Sequence, residues 1–243
     1  PFLVRLPVAV ALLTQRRLKN AAQEALVRLG PRIIGALADA LGDSRSDPAL
    51  RREIPRVLSQ LATPRSAEVL LASLGTEDAV LKYQVVRALG RLHERDPRLP
   101  EPNPFIAERI YEETRAHYEA LATCKSLSVQ GCDDRSLLGR ALRERLDQNL
   151  EIIFRLLGLQ YPQRDIFSVY AALKGGRAER RASAIEFLDN LLNQSLKSVI
   201  LPLLEESSTE MLIDGAWRHF GVDKREPIDA LRMILRQSDA WLR

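Results

Sequence analysis

The side chains with the most chemical reach in this sequence are arginines that recur at related places. Arg52, Arg56, Arg87 and Arg91 stand with Arg51 and Lys82 in one half of the chain, and Arg180 and Arg181 echo them later. Guanidinium groups stacked along one edge would make a basic stripe able to bind an anionic partner through phosphate or carboxylate oxygens. Pairing each arginine with a nearby acid, such as Arg52 or Arg56 with Glu53 or Glu68, accounts for the same residues without a ligand. The other candidates carry less. His93, His117 and His219 are far apart and come with no His-Glu-x-x-His or Cys-x-x-Cys spacing, so no metal site is read and no cofactor is assigned. His93 and His219 fall near expected helix ends, where an imidazolium suits the carbonyl terminus, and His117 edges an apolar stripe. Lys174-Gly175-Gly176-Arg177 lacks both the Gly-x-x-x-x-Gly-Lys-Ser/Thr pattern and a preceding strand, which leaves a glycine helix stop. Asp133-Asp134 and Asp189 are separated carboxylates that capping and solvation explain. No nucleophile, base and orienting group come together as a catalytic set.

These arginines ride on a helical phrase that repeats. Arg56-Val57-Leu58-Ser59-Gln60-Leu61 returns as Arg87-Ala88-Leu89-Gly90-Arg91-Leu92, 31 residues on, and a weaker copy, Ala25-Leu26-Val27-Arg28-Leu29, precedes the first by 32. The helix stops Leu41-Gly42 and Leu74-Gly75 recur at 33. That interval suits two short helices and two turns, the unit of an α-solenoid, which buries its apolar face only by stacking on neighbours. The reading predicts helices over 20–29, 33–41, 48–61 with Pro55 inside and 79–92, with a returning helix through Val69, Leu70 and Leu74 after the Thr63-Pro64 turn, and Val8 to Leu13 as the second helix of an incomplete first unit.

The rhythm breaks at Asp96-Pro97 and at the proline cluster from Pro100 to Pro104. Two longer helices follow, from Asn103-Pro104 to about Thr123 and from Ser136 to Leu157. The first carries Ile106, Ile110, Thr114, His117 and Leu121 inward. The second carries Leu138, Leu142, Leu146, Leu150, Ile153 and Leu157 inward and the pairs Arg140/Glu144, Arg143/Asp147 and Glu151/Arg155 outward. Short helices resume over 165–173, 178–192 and 196–204, then after Ser207-Ser208-Thr209 and from Pro227 to Trp241-Leu242.

Composition agrees with this order. With 46% hydrophobic residues, 5% aromatic and an abundance of Leu, Ala, Arg and Glu, the 243 residues favour helix and can bury a sizeable core. The net charge of +4, from 36 basic against 32 acidic residues, permits an anionic partner without demanding one. Cys124 and Cys132, with no secretory signal before them, favour an intracellular compartment and read as small half-buried residues. The most apolar stretch, Phe2 to Leu13, is broken by Arg5 and Pro7 and falls short of the ~18 residues a span needs. Its abrupt start at Pro1 reads as a piece of a longer protein.

With paired helices of this length, Pro and Gly at the turns and small residues such as Ala88 and Ala184 at close-packing positions, the chain resembles HEAT repeats, narrowly the short bacterial HEAT-like type, over about 7–95 and 177–205. The stretch from Leu142 to Leu150, Phe154 to Leu159, Asp165-Ile166, Tyr170 and Arg181 to Leu192 is similar to the HEAT region of some large bacterial membrane proteins. In those proteins it follows a transporter-like domain related to ATP/ADP translocases. The expected fold is therefore an all-α, HEAT-like α-α superhelix, with repeats over 1–96, an inserted long helical hairpin over 97–162 and further repeats over 163–243, continuous as one solenoid. The resemblance implies a non-enzymatic interaction or regulatory scaffold, cytoplasmic and tethered to the inner membrane in the full-length protein, whose partner is a protein or another domain of the same polypeptide. HEAT-like folds also bind DNA, and some act as alkylpurine DNA glycosylases, so a stand-alone nucleic-acid-binding protein is the alternative, in which Arg52, Arg56, Arg87, Arg91, Arg180 and Arg181 meet the anion. Against it, Trp217 and Trp241 lie near the C-terminus and no mid-chain aromatic-plus-acid set offers a base-recognition site.

Overall fold

The computed structural model describes residues 8–99, 104–128, 136–205, 208–222 and 226–236, and every regular element among them is helical. Asn103, Cys132, Asp133, Asp134, Ser207, Trp241 and Leu242, used in the sequence reading, lie outside the described residues. The chain divides into two compact units, Pro1–Asn103 and Pro104–Arg243. The two long helices expected over 97–162 fall within the second unit, together with the helices that follow them.

In the first unit a helical turn over 8–11 runs into a 3-10 turn, Leu12–Thr14, and five helices follow. They are α1 (Lys19–Leu29), α2 (Ile34–Gly42), α3 (Pro48–Leu61), α4 (Pro64–Ala72) and α5 (Ala79–Arg95). Local chemistry sets their limits. Gly30 takes φ +72° to end α1, a positive-φ backbone that costs a side-chain-bearing residue more. Pro48 occupies the first turn of α3, where its missing N–H is no loss, and the Asp47 carboxylate accepts the Ala49 N–H at 2.8 Å. Thr63 and Pro64 repeat the device at α4, the Thr63 hydroxyl accepting the Ser66 N–H at 3.1 Å. Asp78 opens α5 by accepting the Val80 and Leu81 N–H groups, each at 3.0 Å.

Helices α1, α3 and α5 pack side by side in one layer, and α2 and α4 pack on each other and against α3 in a second. Three long-range bonds fix direction in the first layer. Lys19, at the start of α1, pairs with Glu53 in the first half of α3 at 2.6 Å, Arg52 pairs with Asp78 at the start of α5, and Arg95, at the end of α5, reaches the Gln60 carbonyl at the end of α3. Starts meet starts and ends meet ends, so the three helices run parallel. The repeated leucines Leu26, Leu58 and Leu89 are fully buried in the seams, each contributing ~1.5–3 kcal/mol.

The second unit holds α6 (Pro104–Ser128), α7 (Leu137–Leu157), α8 (Gln163–Lys174), α9 (Ala178–Leu191), α10 (Gln194–Leu204), α11 (Thr209–Phe220) and α12 (Pro227–Arg236). Ser136, Asn193 and Ser208 cap α7, α10 and α11 by accepting the Gly139, Leu196 and Met211 N–H groups. Helices α6 and α7 form an antiparallel hairpin. Leu127 and Leu142 share a cluster near its turn, and Asn149 donates to Glu113 farther along. From α7 each helix packs on the next as far as α11, but α10, α11 and α12 all return to α6. The arrangement closes on one long central helix.

Burial departs from the expected stripe on α7 and leaves large apolar side chains exposed on α11 and α12. On α7, Leu146 and Leu150 are only half-buried, whereas Ile152, Ile153, Phe154, Leu156 and Leu157 are buried where α8 covers the helix; the Phe154 and Tyr170 rings lie 5.0 Å apart. On α11 and α12, Ile213, Ala216, Ala230 and Ile234 face α6, while Met211, Trp217, Ile228 and Leu231 are exposed.

Candidate functional site

The structure separates the six candidate arginines by what each guanidinium touches. Arg52 binds Asp78 in a fork, Nε to Oδ2 at 3.0 Å and Nη2 to Oδ1 at 3.2 Å, so one carboxylate both caps α5 and ties α3 to it. Burial pushes the Asp78 carboxyl up, but the Arg52 bonds and the Leu81 and Val80 amides outweigh it and hold the group below the usual carboxylate range. Glu53 and Glu68, the partners expected from sequence, are paired with Lys19 and Arg65. Arg181 bridges helix ends, donating to the Leu173 carbonyl at the end of α8 and the Leu204 carbonyl at the end of α10, which satisfies acceptors that helix termini leave orphaned. Arg87 lies over its own helix's Tyr83 ring, 5.5 Å from the centroid.

Arg56 and Arg91 come together. They line a groove of about 330 Å³ between the C-terminal halves of α3 and α5, with Ser59, Gln60, Glu94 and Arg95. Arg56 and Gln60 are one turn apart on α3, and Arg91 and Arg95 one turn apart on α5, so each pair projects from one side of its helix. Arg95 Nη1 donates to the Gln60 carbonyl at 2.8 Å, and Ser59 Oγ donates to the Arg56 carbonyl at 2.9 Å. Sequence reasoning missed Arg95 and Gln60, although the i,i+4 spacing from Arg91 and Arg56 was there to be read.

Arg180 belongs to a separate, wider trough of about 780 Å³ between α8 and α9, with Asp165 and Ser168 on one side and Glu179 and Phe187 on the other. Two carboxylates and one guanidinium give it a mixed lining.

A polar seam runs along α6 against α7. Thr114 Oγ1 donates to the Ile110 carbonyl at 2.7 Å, and the buried Glu113 accepts from Asn149 Nδ2 at 3.3 Å. His117, one turn beyond Glu113, is 7% exposed and its Nδ1 has no hydrogen-bond partner among the described residues. Burial lowers its pKa to about 4, the Asp147 charge opposing only weakly, so the imidazole is neutral at pH 7. Nearby Tyr118 donates its hydroxyl to the Val199 carbonyl at 3.0 Å, beside the Ser198 carbonyl that Pro202 leaves without a helical donor. Burial pushes the Tyr118 phenol up. Glu113 and His117 line neither groove, and their geometry is that of a packed helix interface.

Among the described residues no group of three or more His, Cys, Asp or Glu side chains is placed to hold a metal ion, and no helix is long and apolar enough to cross a membrane. Cys124 is half-buried and packs against the cluster of Leu127 and Leu142. No protein-family model, curated protein or solved structure matches this chain.

Proposed function

We propose that this chain is a non-enzymatic interaction or regulatory scaffold, built as a HEAT-like α-α superhelix, and that it is the cytoplasmic helical-repeat domain of a larger bacterial transporter-like membrane protein. The parallel stacking of α1, α3 and α5 carries the reading. The bonds Lys19–Glu53, Arg52–Asp78 and Arg95–Gln60 join residues 34, 26 and 35 apart, straddling the repeat interval and tying each first helix to the next. Such stacking uses one face of each helix pair for its neighbours and leaves the other to a partner, here a protein or another domain of the same polypeptide. The second-layer helices α2 and α4, or the α6–α7 hairpin, would present that face.

The test is the full-length protein. Membrane-spanning helices beside this chain, and hydrogen-exchange protection of α2, α4 or the α6–α7 hairpin in the presence of the rest of the polypeptide, are the expected results. A full-length product that stays in the soluble fraction would overturn the membrane-linked reading, and enzyme-like turnover by the purified chain would overturn the non-enzymatic one. A nucleic-acid-binding protein is the second reading, favoured by the arginines of the α3–α5 groove. It requires salt-sensitive DNA binding that weakens when Arg56 and Arg91 are both changed to Glu, and no binding at low salt would end it.

A further inference from the structure

The α3–α5 groove has a lining suited to one compact anion. Its lining holds three guanidinium groups, Arg56, Arg91 and Arg95, and one carboxylate, Glu94, drawn from two helices, around a volume near the lower end of the ~300–1,000 Å³ typical of ligand sites. The end of a helix is a poor place for an anion, because its carbonyls point outward with partial negative charge. Arg95 answers that at α3 by donating to the Gln60 carbonyl. The Arg56 guanidinium is exposed and makes no ion pair or hydrogen bond among the described residues.

The run of cations along the two helices is also interrupted. Toward the other end of the same two helices Arg52 is held by Asp78, and Arg87 lies over Tyr83. Duplex nucleic acid presents a charge every ~1.7 Å along its axis and rewards a long run of cations. A lone carboxylate presents two oxygens in one plane, whereas a phosphate monoester presents three in a tetrahedral array. It can accept from guanidinium forks on both helices at once.

We propose that the groove formed by Arg56, Gln60, Arg91 and Arg95 binds a single phosphate-monoester group, either free or on a phosphorylated protein segment. The site does not depend on which partner the helical array serves. Amide spectra of the full chain, recorded at low ionic strength, test it during titration with phenyl phosphate, inorganic phosphate, a phosphoserine peptide, its unphosphorylated twin and a short DNA duplex. Saturable shifts centred on residues 56–60 and 91–95 are expected with the phosphate ligands. Changing Arg56→Gln and Arg91→Gln together should weaken binding by about tenfold or more. Arg65→Gln, an exposed arginine of α4 paired with Glu68, should leave it unchanged. Arg56→Gln alone, at an exposed position, gives the same direction of effect should the double variant fail to fold. Binding of phenyl phosphate and inorganic phosphate with no gain from the peptide identifies a free anion as the source, and preference for the phosphopeptide identifies a phosphorylated segment. The proposal is overturned by no saturable shift with any phosphate ligand, by equal weakening in Arg65→Gln, or by tighter binding of the duplex than of the phosphates.

Discussion

The two units are both helical among the described residues yet organise their cores differently. In 1–103 the first-layer helices meet in sequence, α1 with α3 and α3 with α5, and leucines at the repeat interval are buried in the seams. In 104–243 four helices, α7, α10, α11 and α12, share α6, whose 25 residues give it length enough to serve them all. The difference shows in what each core contains. α6 alone buries Glu113, Thr114, His117 and Thr123, while the buried polar side chains of the first unit, Gln23, Ser59 and Ser66, are spread over α1, α3 and α4. A mostly apolar seam between neighbours is tolerant and local; a polar seam concentrated on a shared helix is specific, and its failure is felt by every element that leans on it.

That contrast breaks most visibly under core truncation. Tyr118→Ala should cost about 3–5 kcal/mol, and hydrogen exchange should show protection lost together in α6, α10 and α11, since the ring packs among Ile213, Ala216 and Phe220 and its hydroxyl holds Val199. Leu26→Ala should cost about 2–5 kcal/mol, with the loss confined to α1, α2 and α3. Loss spread equally through both units by either change would dissolve the distinction.

Acid gives the next effect. His117 is neutral in both folded and unfolded chains above its unfolded pKa near 6.5; between there and about 4 only the unfolded chain takes up the proton, so stability falls as pH falls. The loss reaches about 3 kcal/mol at pH 4 and should appear first in the second unit. His117→Gln should flatten the slope between pH 6.5 and 4 in denaturant titrations.

Asp78 responds with the opposite kind of group. Its folded pKa is depressed, so its stabilisation is present above about 4 and is lost only as pH drops through the lower folded value. Asp78→Ala removes the cap of α5 and the Arg52 fork together and should cost about 1–2 kcal/mol, read as a shift in urea midpoint with protection lost between α3 and α5. The smallest effect is at the exposed Trp217, where a change to Gln should move stability by no more than about 0.5 kcal/mol.

Much of the helix order was legible because its signals are local. Pro48, Thr63-Pro64, Ser136 and Ser208 act on backbone groups within three residues, and the structure places helix starts there. The leucine stripe of the repeated phrase is equally local, since burial follows from a 3-4 spacing once any neighbour covers that face. The arginines were not legible in the same way. Arg52 reaches Asp78 across 26 residues, not Glu53 beside it, and Arg181 reaches the ends of two other helices, partners that exist only after the layers have packed. Arg56 and Arg91 do share a groove, but its other basic wall, Arg95, has no place in the repeated phrase.

By itself, then, the sequence determined that this chain is helical, where most of its helices begin and end, and which residues of the repeated phrase must be covered. Tertiary structure alone decided that α6 became the centre of the second unit, that a histidine on it stays neutral, and that of six candidate arginines two share a groove. The physical reason is range. Capping and periodicity are settled within a turn or two of backbone, whereas the charge state and partner of a side chain depend on groups that distant parts of the chain bring beside it.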